Sequence, residues 1–114
     1  MALELLNADE QWVIRQALAA LCHGRYLADP ELGERIGVER AELAAILARW
    51  PSVSDTRRDD PAGFAINNCL HEVCDGLEWD DDEWHRWFDV PRDRVAEVYR
   101  RWAMLKGWSS PGAR

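Results

Sequence analysis

The sequence has one lysine, three cysteines and no apolar run that approaches the roughly 20 residues a membrane-crossing helix needs. That last absence removes the membrane-spanning class. Cys22, Cys69 and Cys74 are an odd set without a CxxC pair, which is neither a secreted disulfide framework nor a zinc-ligand spacing. The N-terminus lacks the positive flank and apolar stretch of a secretory leader, so a cytoplasmic location with reduced thiols is expected. Positive charge is also short: 14 Lys and Arg against 21 Asp and Glu leave a net charge of −7, without the basic footprint of a strong nucleic-acid binder. No glycine-rich phosphate loop and no nucleophile beside a base occurs in a recognised spacing, so neither an enzyme nor a bound cofactor or metal is expected. The 13 arginines beside one lysine, with plentiful alanine, fit GC-rich coding and hence a bacterial or phage source.

What the chain does have is apolar content of 47%, seven tryptophans and an internal repeat. Sliding the sequence by 52 places aligns residues 12–50 with 64–102 without a gap, and 11 of the 39 pairs are identical. They include Ile14/Ile66, Leu18/Leu70, Cys22/Cys74, Gly24/Gly76, Arg40/Arg92 and Trp50/Trp102. Other pairs keep apolar character, among them Trp12/Phe64, Leu27/Trp79, Leu32/Trp84 and Ile36/Phe88. Similarity that falls mostly on apolar and turn positions is the signature of a repeated structural unit.

Each copy reads as three helices. Asn7 with Glu10 three residues later is an N-cap pattern, followed by Ile14, Leu18, Leu21 and Cys22 on one face before Gly24. The second copy opens with Asp60-Pro61 and repeats the stripe at Ile66, Leu70, Val73 and Cys74 before Gly76. Short second helices begin at Asp29-Pro30 and in the Asp80–Asp82 run. The third helices carry Leu43, Ile46, Leu47 and Trp50, or Val95, Val98, Tyr99 and Trp102, each at i, i+3, i+4, i+7. The expected fold is therefore all-α, with about six helices in two tandem three-helix repeats packed into one compact domain. The repeats span 1–51 and 61–108, joined by a loop at 52–60 and followed by a frayed tail at 109–114. Units of about 40 residues cannot bury a core alone, so the two must pack on each other.

The second and third helices resemble a helix-turn-helix motif. In the first copy the resemblance rests on Leu32 and Ile36 with small Gly33 between them, Gly37 in the turn, Val38 after it, then Leu43 and Ile46. The second copy departs from it with His85 at the crossing position and Asp89 for the turn glycine. The resemblance implies a helix-on-helix crossing and, in some members, DNA binding. Base reading needs Arg, Lys, Asn or Gln on the third helix. The first copy offers mostly alanine and glutamate there, whereas the second offers Arg92, Arg94, Arg100 and Arg101. These arginines suit either phosphate contacts or a solvated face whose last turn complements the helix dipole.

Three clusters remain. His71, Cys74 and His85 are the nearest thing to a metal-dependent site, and they fall short of a recognised ligand spacing. Asp75–Glu83 is the densest charge run, closing with Asp80, Asp81, Asp82 and Glu83, and it reads either as a solvated loop and helix start or as an acidic surface for an Arg/Lys-rich partner. Five of the seven tryptophans follow residue 78. Trp84 and Trp102 take core positions of the repeat, while Trp87 takes the outward position of Arg35, so it is either covered by the other copy or an interface anchor. The leading expectation is a non-catalytic protein-protein interaction module, as in a bacterial or phage regulator, immunity protein or inhibitor. Its contact surface would be Trp79, Asp80, Asp81, Asp82, Glu83, Trp87 and Arg94. The alternative is a DNA-binding transcriptional regulator, with a homodimer compatible, using Arg92, Arg94, Arg100 and Arg101. The partner is expected to be another protein; no membrane is.

Overall fold

The structure, a computed structural model, describes residues 2–24, 26–55 and 60–107. The expected tail at 109–114 and Trp108 lie outside the described residues, as do residues 56–59 of the connecting loop. The described chain is all-α, with helices α1 (Ala2–Leu5), α2 (Ala8–His23), α3 (Asp29–Ile36), α4 (Arg40–Arg49), α5 (Pro61–His71), α6 (Asp81–Trp87) and α7 (Arg92–Lys106). A π-helical turn, Glu72–Gly76, continues α5.

Among the described residues seven helices stand where about six were expected, and the additional one is α1. Four residues are too few to show a periodicity, and tertiary contacts hold this helix instead. Leu3 and Leu6 are buried, the Leu3 N–H donates to the buried Asp55 carboxylate at 3.0 Å, and Gln11 Nε2 donates to the Leu3 carbonyl at 2.9 Å. The other boundaries follow local chemistry. Asn7 and Glu10 form a reciprocal capping box at the start of α2, with bonds of 2.8 and 2.9 Å. Asp80 caps α6 by accepting the Glu83 N–H at 2.8 Å. Helix α4 stops at Arg49 because Pro51 follows and disfavours helical backbone at Trp50. α7, with no proline there, runs on to Lys106 and ends on left-handed Gly107.

The core is built around α2 lying along α5, with α4 on α2 and α7 on α5. Ile14, Leu18, Leu21, Ile66, Leu70, Val95, Val98 and Trp102 are essentially inaccessible to solvent. The short helices cross over: α3 packs against α5, and α6 against α2. Side chains follow the same crossing. Asn68 Nδ2 on α5 donates to the Ile36 carbonyl at the end of α3 (2.8 Å), and Gln16 Nε2 on α2 donates to Asp89 just after α6 (3.0 Å). Ion pairs bind the halves further, Arg35 to buried Glu72 at 2.5 Å and Arg101 to buried Glu10 at 3.0 Å. The starts of α3 and α6, at 29 and 81, and of α4 and α7, at 40 and 92, are offset by the same 52 residues as the sequence pairs.

The helix-turn-helix crossing is looser than the resemblance implies. A Cβ placed on Gly33 meets nothing within 4 Å, so no helix presses on that position and His85 stands exposed at its counterpart. Gly37 does adopt the left-handed turn, with φ of 88°, whereas α6 ends through extended Phe88, with φ of −122°. The second turn is thus made another way, and Asp89 stands where the first has its glycine.

Candidate interaction surface

Tyr26, in the connection between α2 and α3, organises the side chains expected at a contact surface. Its position is tight: a Cβ on Gly24 would collide with the Tyr26 ring and with the Ala20 carbonyl. The Tyr26 ring meets Trp79 edge-on at 4.6 Å between centroids. Its hydroxyl donates to the Glu83 carboxylate and accepts the Trp87 indole N–H at 2.7 Å. Burial and the neighbouring Glu83 hold the phenol above its ordinary pKa, so it remains a donor. Behind it the aromatic rings continue inward. Trp79 lies edge-on to Trp84 (6.0 Å) and Phe88 (6.2 Å), Trp84 stacks on Phe88 (4.3 Å), and the indoles of Trp79 and Trp84 donate to the Val73 and Val90 carbonyls.

Trp79, Glu83 and Trp87 are thus brought together, and what they meet is the first half of their own chain. Trp87 is half-buried, covered by Tyr26. Asp80, Asp81 and Asp82 remain exposed at the start of α6: Asp80 as the cap, Asp81 paired with Arg92 at 3.4 Å, Asp82 without a cation among the described residues. Arg94 reaches Glu97 at 4.0 Å on its own helix.

The second-half arginines are largely committed within the molecule. Arg92 donates to the Trp79 carbonyl (2.8 Å), pairs with Asp81 and covers the Trp84 ring at 5.0 Å. Arg40, 52 residues earlier, makes the same contacts more fully: Asp29 at 2.7 Å, the Leu27 carbonyl at 2.9 Å, and the Cys22 carbonyl. Arg101 is bound to Glu10 and to the Leu5 carbonyl. Arg100 stays exposed, with no carboxylate partner among the described residues.

His71, Cys74 and His85 do not assemble, and no group of three metal-ligating side chains converges among the described residues. His71 Nδ1 faces Asp75 at 3.8 Å. Cys22, buried, and Cys74, partly buried, are free thiols. Burial pushes the Cys74 thiol up to about 12, with Asp75 adding to the shift, and it raises Cys22 as well.

Two surface aromatics were not picked out by the sequence reading. Trp12 is 49% exposed under the Arg15 guanidinium, and Phe64 is 40% exposed beside Gly37. Their alignment as an apolar pair hid this. A readable signal existed: each lies two residues before the stripe residues Ile14 and Ile66, about 200° around the helix and therefore off the buried face.

Compared with protein-family models, with curated proteins and with solved structures, the chain has no match in any of the three. No helix among the described residues is long and apolar enough to cross a membrane.

Proposed function

We propose that this chain is a non-catalytic protein-binding module, a tandem pair of three-helix units whose acidic surface engages a basic partner. A regulator, immunity protein or inhibitor of bacterial or phage origin would act in this way. The observation that carries the reading is the allocation of charge. Arg35, Arg40, Arg92, Arg94 and Arg101 are each bound to carboxylates of their own chain. Exposed Glu34, Glu39, Glu42, Glu78 and Asp82 meet no cation among the described residues. Surplus, solvated carboxylates steer a partner of opposite charge and repel nucleic acid.

Within this reading Trp79, Glu83 and Trp87 act by fixing α6 against Tyr26, which holds Asp80, Asp81 and Asp82 at the surface. Trp12 supplies an aromatic anchor of the kind that dominates binding energy.

The test is affinity capture with identified partners, comparing the native chain with the double variant Glu78→Lys, Asp82→Lys. Both positions are exposed, so far-UV circular dichroism stays unchanged and capture of a basic protein is lost. Retention of that protein by the double variant overturns the proposal. Duplex DNA binding at about 50 mM salt that collapses as salt rises would overturn it in favour of a DNA-binding regulator acting through Arg92, Arg94, Arg100 and Arg101.

A further inference from the structure

A pocket of about 180 Å³ lies between the π turn and α7, lined by Cys74, Asp75, Ala96, Tyr99 and Arg100. Tyr99 is only 4% exposed, and its hydroxyl has no hydrogen-bond partner among the described residues. The hydroxyl oxygen is not among the enclosed unpartnered polar atoms of the core, so it opens on the pocket, where a ligand can reach it. Burial, with Cys74 and Asp75 beside it, pushes Tyr99 up to about 12, so it stays a neutral donor at ordinary pH. Cys74 is likewise a neutral thiol, which removes nucleophilic chemistry and leaves binding.

Opposite charges flank this space. Asp75 and Arg100 both line it, yet they lie further apart than the 4.0 Å of an ion pair. Arg100 is also the member of the second-half arginine set that no carboxylate occupies among the described residues. The corresponding positions 52 residues earlier are Cys22, His23, Ala44, Leu47 and Ala48, which offer no such pair of charges. Helix α2 is regular there, whereas the second half has the π turn, a distortion that re-aims side chains.

We propose that this pocket binds a small free α-amino acid, its carboxylate on Arg100 and the Tyr99 hydroxyl, its ammonium on Asp75. A partly open pocket of about 180 Å³ suits a ligand as small as alanine, serine or valine. A lone anion would face Asp75 and a lone cation would face Arg100, so each fits worse than a molecule carrying both charges. The inference is independent of partner binding and is tested on the isolated chain.

Calorimetric titration of the full chain with L-alanine, L-serine and L-valine gives saturable binding. N-acetyl-L-alanine, which lacks the ammonium, and L-alaninamide, which lacks the carboxylate, bind at least about tenfold more weakly. Arg100→Ala and, separately, Asp75→Asn each weaken alanine binding about tenfold or more with the helical signal intact, since both positions are exposed. Tyr99→Phe, which keeps the core ring, weakens it by a smaller factor. No saturable binding of any of the three amino acids up to about 50 mM, a range that captures millimolar dissociation constants, overturns the proposal. Equal binding of alanine and N-acetylalanine also overturns it, because the site would then be a plain anion site.

Discussion

At the scale of single residues, Arg40 and Arg92 show how one side chain fastens a turn. Each opens the last helix of its half and reaches back to carbonyls in the preceding connection, Leu27 for Arg40 and Trp79 for Arg92. Carbonyls left beyond a helix end need a partner, and a guanidinium fork supplies several donors at once. The two differ in burial, with side-chain exposure of 21% for Arg40 and 49% for Arg92. Arg40→Ala should therefore cost about 2–3 kcal/mol and Arg92→Ala about 1 kcal/mol, read from urea unfolding. Equal losses would contradict this reading of the contacts. Tyr26→Phe removes the hydroxyl shared by Glu83 and Trp87, for an expected loss of about 1–2 kcal/mol and a change in tryptophan emission as the Trp87 N–H turns to water. The sequence paired Arg40 with Arg92 but left Arg92 between phosphate contacts and a solvated helix face. Its acceptor is a carbonyl 13 residues away, and no side-chain pattern reports where a carbonyl points.

Among the helices, the α3–α4 and α6–α7 pairs separate what local rules decide from what packing decides. The starts at Asp29 and Asp81, the capping box at Asn7 and the apolar stripes were all readable, because each depends on neighbours within four residues. Helix α1 and the π turn were not, since one is held by Asp55 and Gln11 and the other ends where Gly76 passes close to the Glu72 carboxylate. The glycine inside α3 and the one that caps it give opposite predictions. Gly33→Ala fills open space in a helix interior, so it should stabilise by about 0.5–1 kcal/mol. Gly37→Ala must hold φ at 88°, so it should destabilise by about 1–2 kcal/mol. Thermal unfolding of the two variants decides this, and a loss on Gly33→Ala would restore the tight crossing that the helix-turn-helix resemblance implied. Of the candidate surface, the acidic start of α6 was legible from composition alone. That Trp87 faces inward was not, because its neighbour Tyr26 lies 61 residues away.

Across the whole molecule, the halves are locked by reciprocal contacts in which α3 leans on α5 and α6 leans on α2, so their interface is also the core. That arrangement places titratable groups in surroundings that penalise their charged forms. Cys69 is wholly inaccessible and its thiol is held well above 9.0, while Cys74 and Tyr99 are pushed up to about 12 from 9.0 and 10.0. In the unfolded chain these groups release their protons near the ordinary values; in the folded chain they keep them. Between about pH 9 and 12 the folded state therefore binds more protons than the unfolded one, and stability falls as pH rises through that window. Below about pH 9 both states are protonated and the contribution is fully present and constant. Unfolding midpoints in urea should accordingly show no loss from these groups between about pH 7 and 8.5, then decline steadily above 9. Cys74→Ala removes one of the responsible groups, so its midpoint should fall less steeply over the same alkaline range. An identical slope in the variant would mean that the thiol at the π turn is not held protonated by the fold, and that the loss at high pH comes from elsewhere.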